Sequence, residues 1–261
     1  MIPKKVILDC DPGSDDAIAM MLAMKSDAID LIGVTTVNGN RIVPKTTENA
    51  LRVVQFMKSS VPVYRGCEEP IICNEIPSRK PGLPRVTLND CHGDFLPLPA
   101  AEIRTEKELR SLTNLAMALR IEPKIAGKIK QLVIMGGGHC GANASPAAEF
   151  NFYADPEAAK IVMDSAIPKV ILPLDATWRA CLSEEKCREL AQLGTPEAKV
   201  AAALVQKRID NLKVNDVSEH NYALRHQAGT VAGAMLYRYD NHMAPIRSAI
   251  ARFVSGPTAA T

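Results

Sequence analysis

The stretch "DCDPGSDDA" places Asp9, Asp11, Asp15 and Asp16 within a few positions of one another, immediately before an apolar segment. Carboxylates that close repel and resist ionising together unless a cation or strong hydrogen-bond donors hold them. Oxygen-only ligands at this density suit a hard ion such as Ca²⁺ or Mg²⁺ rather than zinc. Asp9 and Asp11 lie at i and i+2, so a strand carries them toward one face. Asp15 and Asp16 fall in the first turn of the helix that follows, where the helix dipole favours negative charge. The bland alternative is that Asp15 and Asp16 only cap that helix and that Asp9 bonds to backbone.

The elements that must position these residues read as βαβ units. Residues 5–8 form a buried strand, Pro12-Gly13 turns the chain, and Ser14 is placed to cap a helix over 15–24. A second strand spans 30–37 and closes on "NGN" at Asn38–Asn40, followed by a helix over 47–57 and a short strand over 61–64. Residues 68–106 are rich in proline and polar side chains with little periodicity. The rhythm resumes with the helix "LTNLAMALRI", a strand over 131–138, a helix capped by Asp155 with Pro156 at its first position, a strand over 169–174 and amphipathic helix over 183–212. The fold class is therefore α/β: an open, mainly parallel sheet flanked by helices, with a Rossmann-like core. Sites in such sheets form outside the carboxyl ends of the strands. Three polar clusters land there: "DCDPGSDD", "VNGN" and "MGGGHCGANASPAAEFNFYADPEAA". Residues 1–261 read as one domain, with no repeat and no interior linker.

Composition excludes several classes. With 31 basic against 29 acidic residues the net charge is +2, which argues against a dedicated nucleic-acid or anionic-membrane surface. No segment approaches the roughly 20 apolar residues of a membrane span. The 7 cysteines are scattered and form no CxxC pair, so free, buried thiols in a reducing compartment are expected. The N-terminus runs directly into a strand, and the expected location is the cytoplasm. "DCD" alone also fits a haloacid-dehalogenase-type phosphotransferase, but Pro12-Gly13 and two further acids depart from that pattern.

Taken together, "DCDPGSDDA", "VTTVNGN", "LTNLAMALR" and "IMGGGHCGANASPAAEFNFYADPEAA" resemble, in order, the signatures of the nucleoside hydrolase family (inosine/uridine-preferring nucleoside N-ribohydrolases). The resemblance implies Ca²⁺-dependent hydrolysis of the N-glycosidic bond of ribonucleosides. It implies that Asp11 and Asp16 ligate the ion with the backbone carbonyl of Leu109, and that Asp11 is also the general base for the attacking water. Asp15, Asn40 and Asn151 are implied to hold ribose hydroxyls, and Asn143 and Glu149 the 5′-hydroxyl. His92 is the matching histidine left to protonate the leaving base. A small-molecule nucleoside partner and a homodimer or homotetramer are implied as well.

Residue by residue, simpler roles stand beside these. Asn40 could supply left-handed turn geometry after Gly39. Gly136–Gly138 lack the following Lys-Ser/Thr of a phosphate cradle, so they are read as letting backbone pass close to the site. Asp155 is read as a helix cap with a structural role only. His139 and Cys140 are read as loop residues, and Trp178, Tyr222, Tyr237 and Tyr239 as core or surface before base-stacking partners.

The chain also departs from the family. "AAEIRTEKELRS" is too short for the helix and strand that precede the LTN helix in the family. "APIRSAIA" puts Arg247 and Ser248 where the family has His and a metal-binding Asp, and Asp240 is a weak substitute. The C-terminal part is therefore atypical. The alternative function is a catalytically weak or inactive truncated relative that binds calcium or ribose or acts through self-association.

Overall fold

A computed structural model describes residues 2–72, 95–96, 112–140, 142–145, 147–177, 179–180 and 182–214. The first unit begins with β1 (Lys4–Cys10), which passes through α1 (Ser14–Lys25) to β2 (Ile29–Thr36). It continues through α2 (Val43–Phe56) to the short β3 (Val63–Tyr64). The three strands are parallel in the order β1-β2-β3, with Lys4 opposite Ile29 and Cys10 opposite Thr36. A register shift at Val6/Ile7 separates the two ends of that ladder. After α3 (Leu112–Ile121) and a 3-10 turn (Pro123–Lys128), β4 (Leu132–Met135) leads into a loop and the short α4 (Phe150–Ala154). Then come α5 (Pro156–Asp164), β5 (Lys169–Leu172), α6 (Leu174–Thr177), α7 (Glu184–Gln192) and α8 (Pro196–Val214). β4 and β5 pair in parallel, from Leu132 opposite Lys169 to Met135 opposite Leu172.

This is the open α/β arrangement expected from the sequence, except that β1, expected to be buried, leaves Ile7 60% exposed; three further differences are local. Gly13, not Ser14, is the cap residue of α1; it offers no side-chain oxygen, and Asp16 instead reaches back to its N–H. Ser14 already belongs to the helix, and its buried Oγ has no hydrogen-bond partner. The continuous helical stretch expected over 183–212 is two helices. Gly194 adopts φ of 79° between them, a conformation that favours glycine. The short α4 and α6 lack the length for a helical period to show in sequence.

α1 is buried on several sides: Ala17, Ala19, Met20, Met21, Leu22 and Ala23 are all inaccessible. It packs with β2, α2 and α8 in a core that includes Val34, Val53, Ala201 and Leu204. Each fully buried Met or Leu contributes about 1.5–3 kcal/mol. The helix end that carries the aspartates is anchored by this packing. A second core joins α3, β4 and α5 through Ala116, Leu119, Ile134, Ala158 and Val162. Cys10, Cys67 and Cys187 are free and buried as expected, whereas Cys140 is free and exposed. No helix among the described residues is long and apolar enough to cross a membrane.

Candidate functional site

Beyond Cys10 the chain turns through Asp11, Pro12 and Gly13 into α1. The turn is held from α2: the fully buried Asn49 donates Nδ2–H to the Pro12 carbonyl at 2.9 Å. That contact leaves Asp11, Asp15 and Asp16 clustered and half-buried. The Asp11 and Asp16 carboxyls hydrogen-bond one another, and Asp16 also accepts from the Gly13 N–H at 3.4 Å. Two carboxyls in contact require a shared proton or a cation between them.

Their titration reflects this. Withdrawal from water pushes Asp11 up to about 7, against the bond from Asn40 and with the charge of Asp15 adding to the rise. Burial, then the charges of Asp15 and Asp11, push Asp16 well above the usual carboxylate range. Burial raises Asp15 too, opposed by the positive charge of Arg208 on α8.

Asp9 stands apart from this group. Its Oδ1 accepts from Thr35 Oγ1 at 2.5 Å and from Asn114 Nδ2 at 2.8 Å. Its partners are thus side chains of β2 and α3, not the backbone the bland alternative assigned. Asn40 lies against Asp11: its backbone N–H donates to Asp11 Oδ2 at 2.5 Å, and its Nδ2 to the Asp11 carbonyl at 3.4 Å. Among described non-glycine residues only Lys58 has a positive φ, so Asn40 does not serve as a left-handed turn residue. The glycine requirement falls on Gly39, where an added Cβ would collide with the Asp11 carboxylate.

At the end of β4, Glu149 is 2% exposed, and its Oε2 accepts from the N–H groups of Gly137 at 2.9 Å, Asn151 at 3.0 Å and Phe152 at 3.4 Å. Burial raises its pKa while these donors oppose the rise. Asn143 Oδ1 accepts from Phe150 N–H at 2.8 Å, and Asn151 Nδ2 donates to the Met135 carbonyl at 3.3 Å. Asn143, Glu149 and Asn151 therefore form one group on the β4 loop and α4. The reading of the glycines holds at Gly136, where a Cβ would strike the Phe152 ring. Asp155 caps α5 through Ala158 N–H at 3.0 Å, and its Oδ2 also accepts from Thr113 Oγ1 and Ile71 N–H.

His92 and Leu109 lie outside the described residues, as do Trp178, Tyr222, Tyr237, Tyr239, Asp240, Arg247 and Ser248. The sequence reading missed Asn49, Asn114 and Asp175. Asn114 lies in the first turn of α3, where an asparagine is ordinary, so no sequence signal marks it. It is 4% exposed and bonds Asp9, the Thr36 carbonyl at 3.3 Å and the Cys67 N–H at 3.2 Å. Asp175 accepts from two loop amides, a role with no sequence signature.

Among the described residues no group of three or more His, Cys, Asp or Glu side chains is arranged to hold a metal ion. The donor chemistry still fits a cation in part, because Asp11 and Asp16 are two adjacent carboxyls whose ionisation is suppressed by burial and by the charges of neighbouring aspartates. A pair of carboxyls of this kind can remove a proton from water, and the amide and carboxyl groups of Asn143, Glu149 and Asn151 can bind a polyhydroxylated ligand.

The chain matches the family model described as inosine-uridine preferring nucleoside hydrolase over residues 6–237. It is 37% identical over 221 residues to the pyrimidine-specific ribonucleoside hydrolase RihB of Escherichia coli, covering 75% of this chain and 67% of that protein. It also resembles the solved structure of a plant nucleoside hydrolase, the PpNRh1 enzyme, with a TM-score of 0.71. That likeness has 25% identity and covers 89% of this chain and 78% of the other. A purine-preferring ribonucleoside hydrolase from Gardnerella vaginalis gives a TM-score of 0.76 at 24% identity, covering 90% and 79%. At that identity the likeness is one of fold.

Proposed function

Because this chain belongs to the inosine-uridine preferring nucleoside hydrolase family, we propose that it hydrolyses the N-glycosidic bond of ribonucleosides to free base and ribose. The observation that carries the reading is the Asp11–Asp16 carboxyl contact at the end of β1, beside Asn40. Asp11 and Asp16 would hold a divalent cation, which we take to be Ca²⁺, with the Leu109 carbonyl as a further ligand by resemblance. When bound, such an ion lowers the pKa of water.

Asp11 takes the proton from the attacking water. The water oxygen bonds to C1′ of the ribose, the C1′–N bond breaks, and the base leaves with its electron pair through an oxocarbenium-like transition state. His92 protonates the departing nitrogen. Asp15, Asn40 and Asn151 orient the ribose hydroxyls, and Asn143 and Glu149 the 5′-hydroxyl; such positioning supplies a large part of the rate. Asn114 holds Asp9 to α3, and we read the chain as one domain on that bond. From its free cysteines we assign it to the cytoplasm, and by resemblance to a homodimer or homotetramer, which light scattering would test.

The test is release of base from uridine and inosine with Ca²⁺ present and after chelation. Calcium-dependent release supports the reading. Calcium binding without release favours the alternative of a binding-only relative, for which the lack of a three-residue ligand group among the described residues speaks. Release that survives chelation overturns the metal assignment.

A further inference from the structure

The loop that leaves β4 carries Asn143, and it is fastened at three places. At its start the Gly136 N–H donates to the Leu172 carbonyl at 3.2 Å, and the Leu174 N–H to the Gly137 carbonyl at 2.9 Å, so β5 and α6 clamp the glycines. At its end Asn143 receives the Phe150 N–H, and its own N–H donates to the Ala148 carbonyl at 3.3 Å. Between these points, among the described residues, the fastening is the Asp175 side chain. Asp175 Oδ2 accepts from the His139 N–H at 2.6 Å, and its Oδ1 from the Cys140 N–H at 2.9 Å.

We propose that Asp175 is a positioning residue for the sugar end of the site: through the His139 and Cys140 amides it fixes where Asn143 meets the 5′ end of the ribose. This rests on the assignment of Asn143 and Glu149 to the 5′-hydroxyl made above. A carboxylate can accept from two successive amides at once, one on each oxygen, whereas an asparagine in its place has one acceptor oxygen and turns an NH2 donor toward the second amide. The two amides also hold the Asp175 carboxyl below its ordinary pKa, so it stays an acceptor through the neutral range. The hydrogen bonds of this role come from the His139 and Cys140 backbone, and the charge of the exposed His139 side chain adds only a lesser pull on the Asp175 carboxyl.

The experiment measures kcat and KM for uridine and for 5′-deoxyuridine with the wild-type chain, Asp175→Ala and Asp175→Asn, all with Ca²⁺. The wild type is expected to prefer uridine. Asp175→Ala should lose most of that preference, with a rise in KM for uridine of about tenfold or more, since small misplacements of a positioning group are costly. Asp175→Asn, with one acceptor oxygen left, should fall between them. The ratio of the two substrates is taken on the same protein, so a loss of folded enzyme cancels from it. If Asp175→Ala does not fold, Asp175→Asn decides alone. Either folded variant keeping the wild-type ratio overturns the proposal. A wild type that hydrolyses both substrates equally overturns the 5′-hydroxyl assignment beneath it, and one that hydrolyses neither overturns the hydrolase reading itself.

Discussion

Asn114 Nδ2 donates to Asp9 Oδ1 at 2.8 Å, so the first aspartate of the cluster is tied to α3 and not to its neighbours Asp11 and Asp16. The same amide reaches the Thr36 carbonyl and receives the Cys67 N–H, joining β1, β2 and the segment after β3 through one side chain. Asn114→Ala leaves the buried Cys67 N–H without that acceptor. It should destabilise the chain by about 1–3 kcal/mol, read as a lower Tm in thermal unfolding. Asn114→Asp should be worse, because it sets a second carboxyl against Asp9. Unchanged stability in both would mean that the bond is replaced by water.

The Asp11–Asp16 contact makes a pH prediction. Asp11 sits at about 7 when no cation is bound, so below neutral pH a proton must leave before an ion can be held by both carboxyls. Calcium affinity, followed by titration calorimetry, should fall as pH drops from 8 to 5, with protons released on binding.

In the metal-free protein the sign reverses. A carboxyl whose folded pKa lies above its unfolded value binds more protons when folded, so its contribution lowers stability as pH rises from about 4 to 7. Thermal unfolding in chelator should show Tm falling over that range, and Asp11→Asn should flatten the slope.

Asp11→Asn should also abolish most base release. Loss of a general base costs about 10²- to 10⁴-fold in rate, and here a cation ligand goes with it. Circular dichroism should show an intact fold, since removing one of two touching acids relieves repulsion. Full activity in this variant would transfer the base to another residue.

Gly39→Ala tests the neighbouring loop. The new Cβ would collide with the Asp11 carboxylate, and only a shift of that side chain or of the loop relieves it. Calcium binding and turnover should both weaken while the hydrophobic core keeps its stability, because the new Cβ meets only Asp11. The comparison is calorimetric affinity against Tm.

Glu149→Gln keeps a carbonyl oxygen to accept from Gly137, Asn151 and Phe152 but loses the charge. Stability should stay within about 1 kcal/mol of wild type, and KM for nucleosides should rise. Glu149→Ala leaves three amides short of their acceptor and should unfold at a distinctly lower temperature.

The fold class and the places where chemistry gathers are legible in the residues alone. Alternating short apolar runs and helical periods identify the parallel α/β pattern, and "DCDPGSDDA" and "EFN" mark the carboxyl ends of β1 and β4. These signals are local: hydrophobic period, Pro-Gly turns and a density of acids that only a cation or donors can tolerate. Tertiary structure decided which acids act together. Four aspartates close in sequence separate into Asp9, pushed up by burial and held by hydrogen bonds from β2 and α3, and Asp11, Asp15 and Asp16, left facing one another. It also decided that Asn40 grips Asp11, that Asn49 holds the Pro12 turn, and that Asp175 latches a loop 35 positions earlier in the chain. Hydrogen bonds between residues so far apart leave no periodicity and no composition signal, because they depend on which strand ends the packed helices bring together.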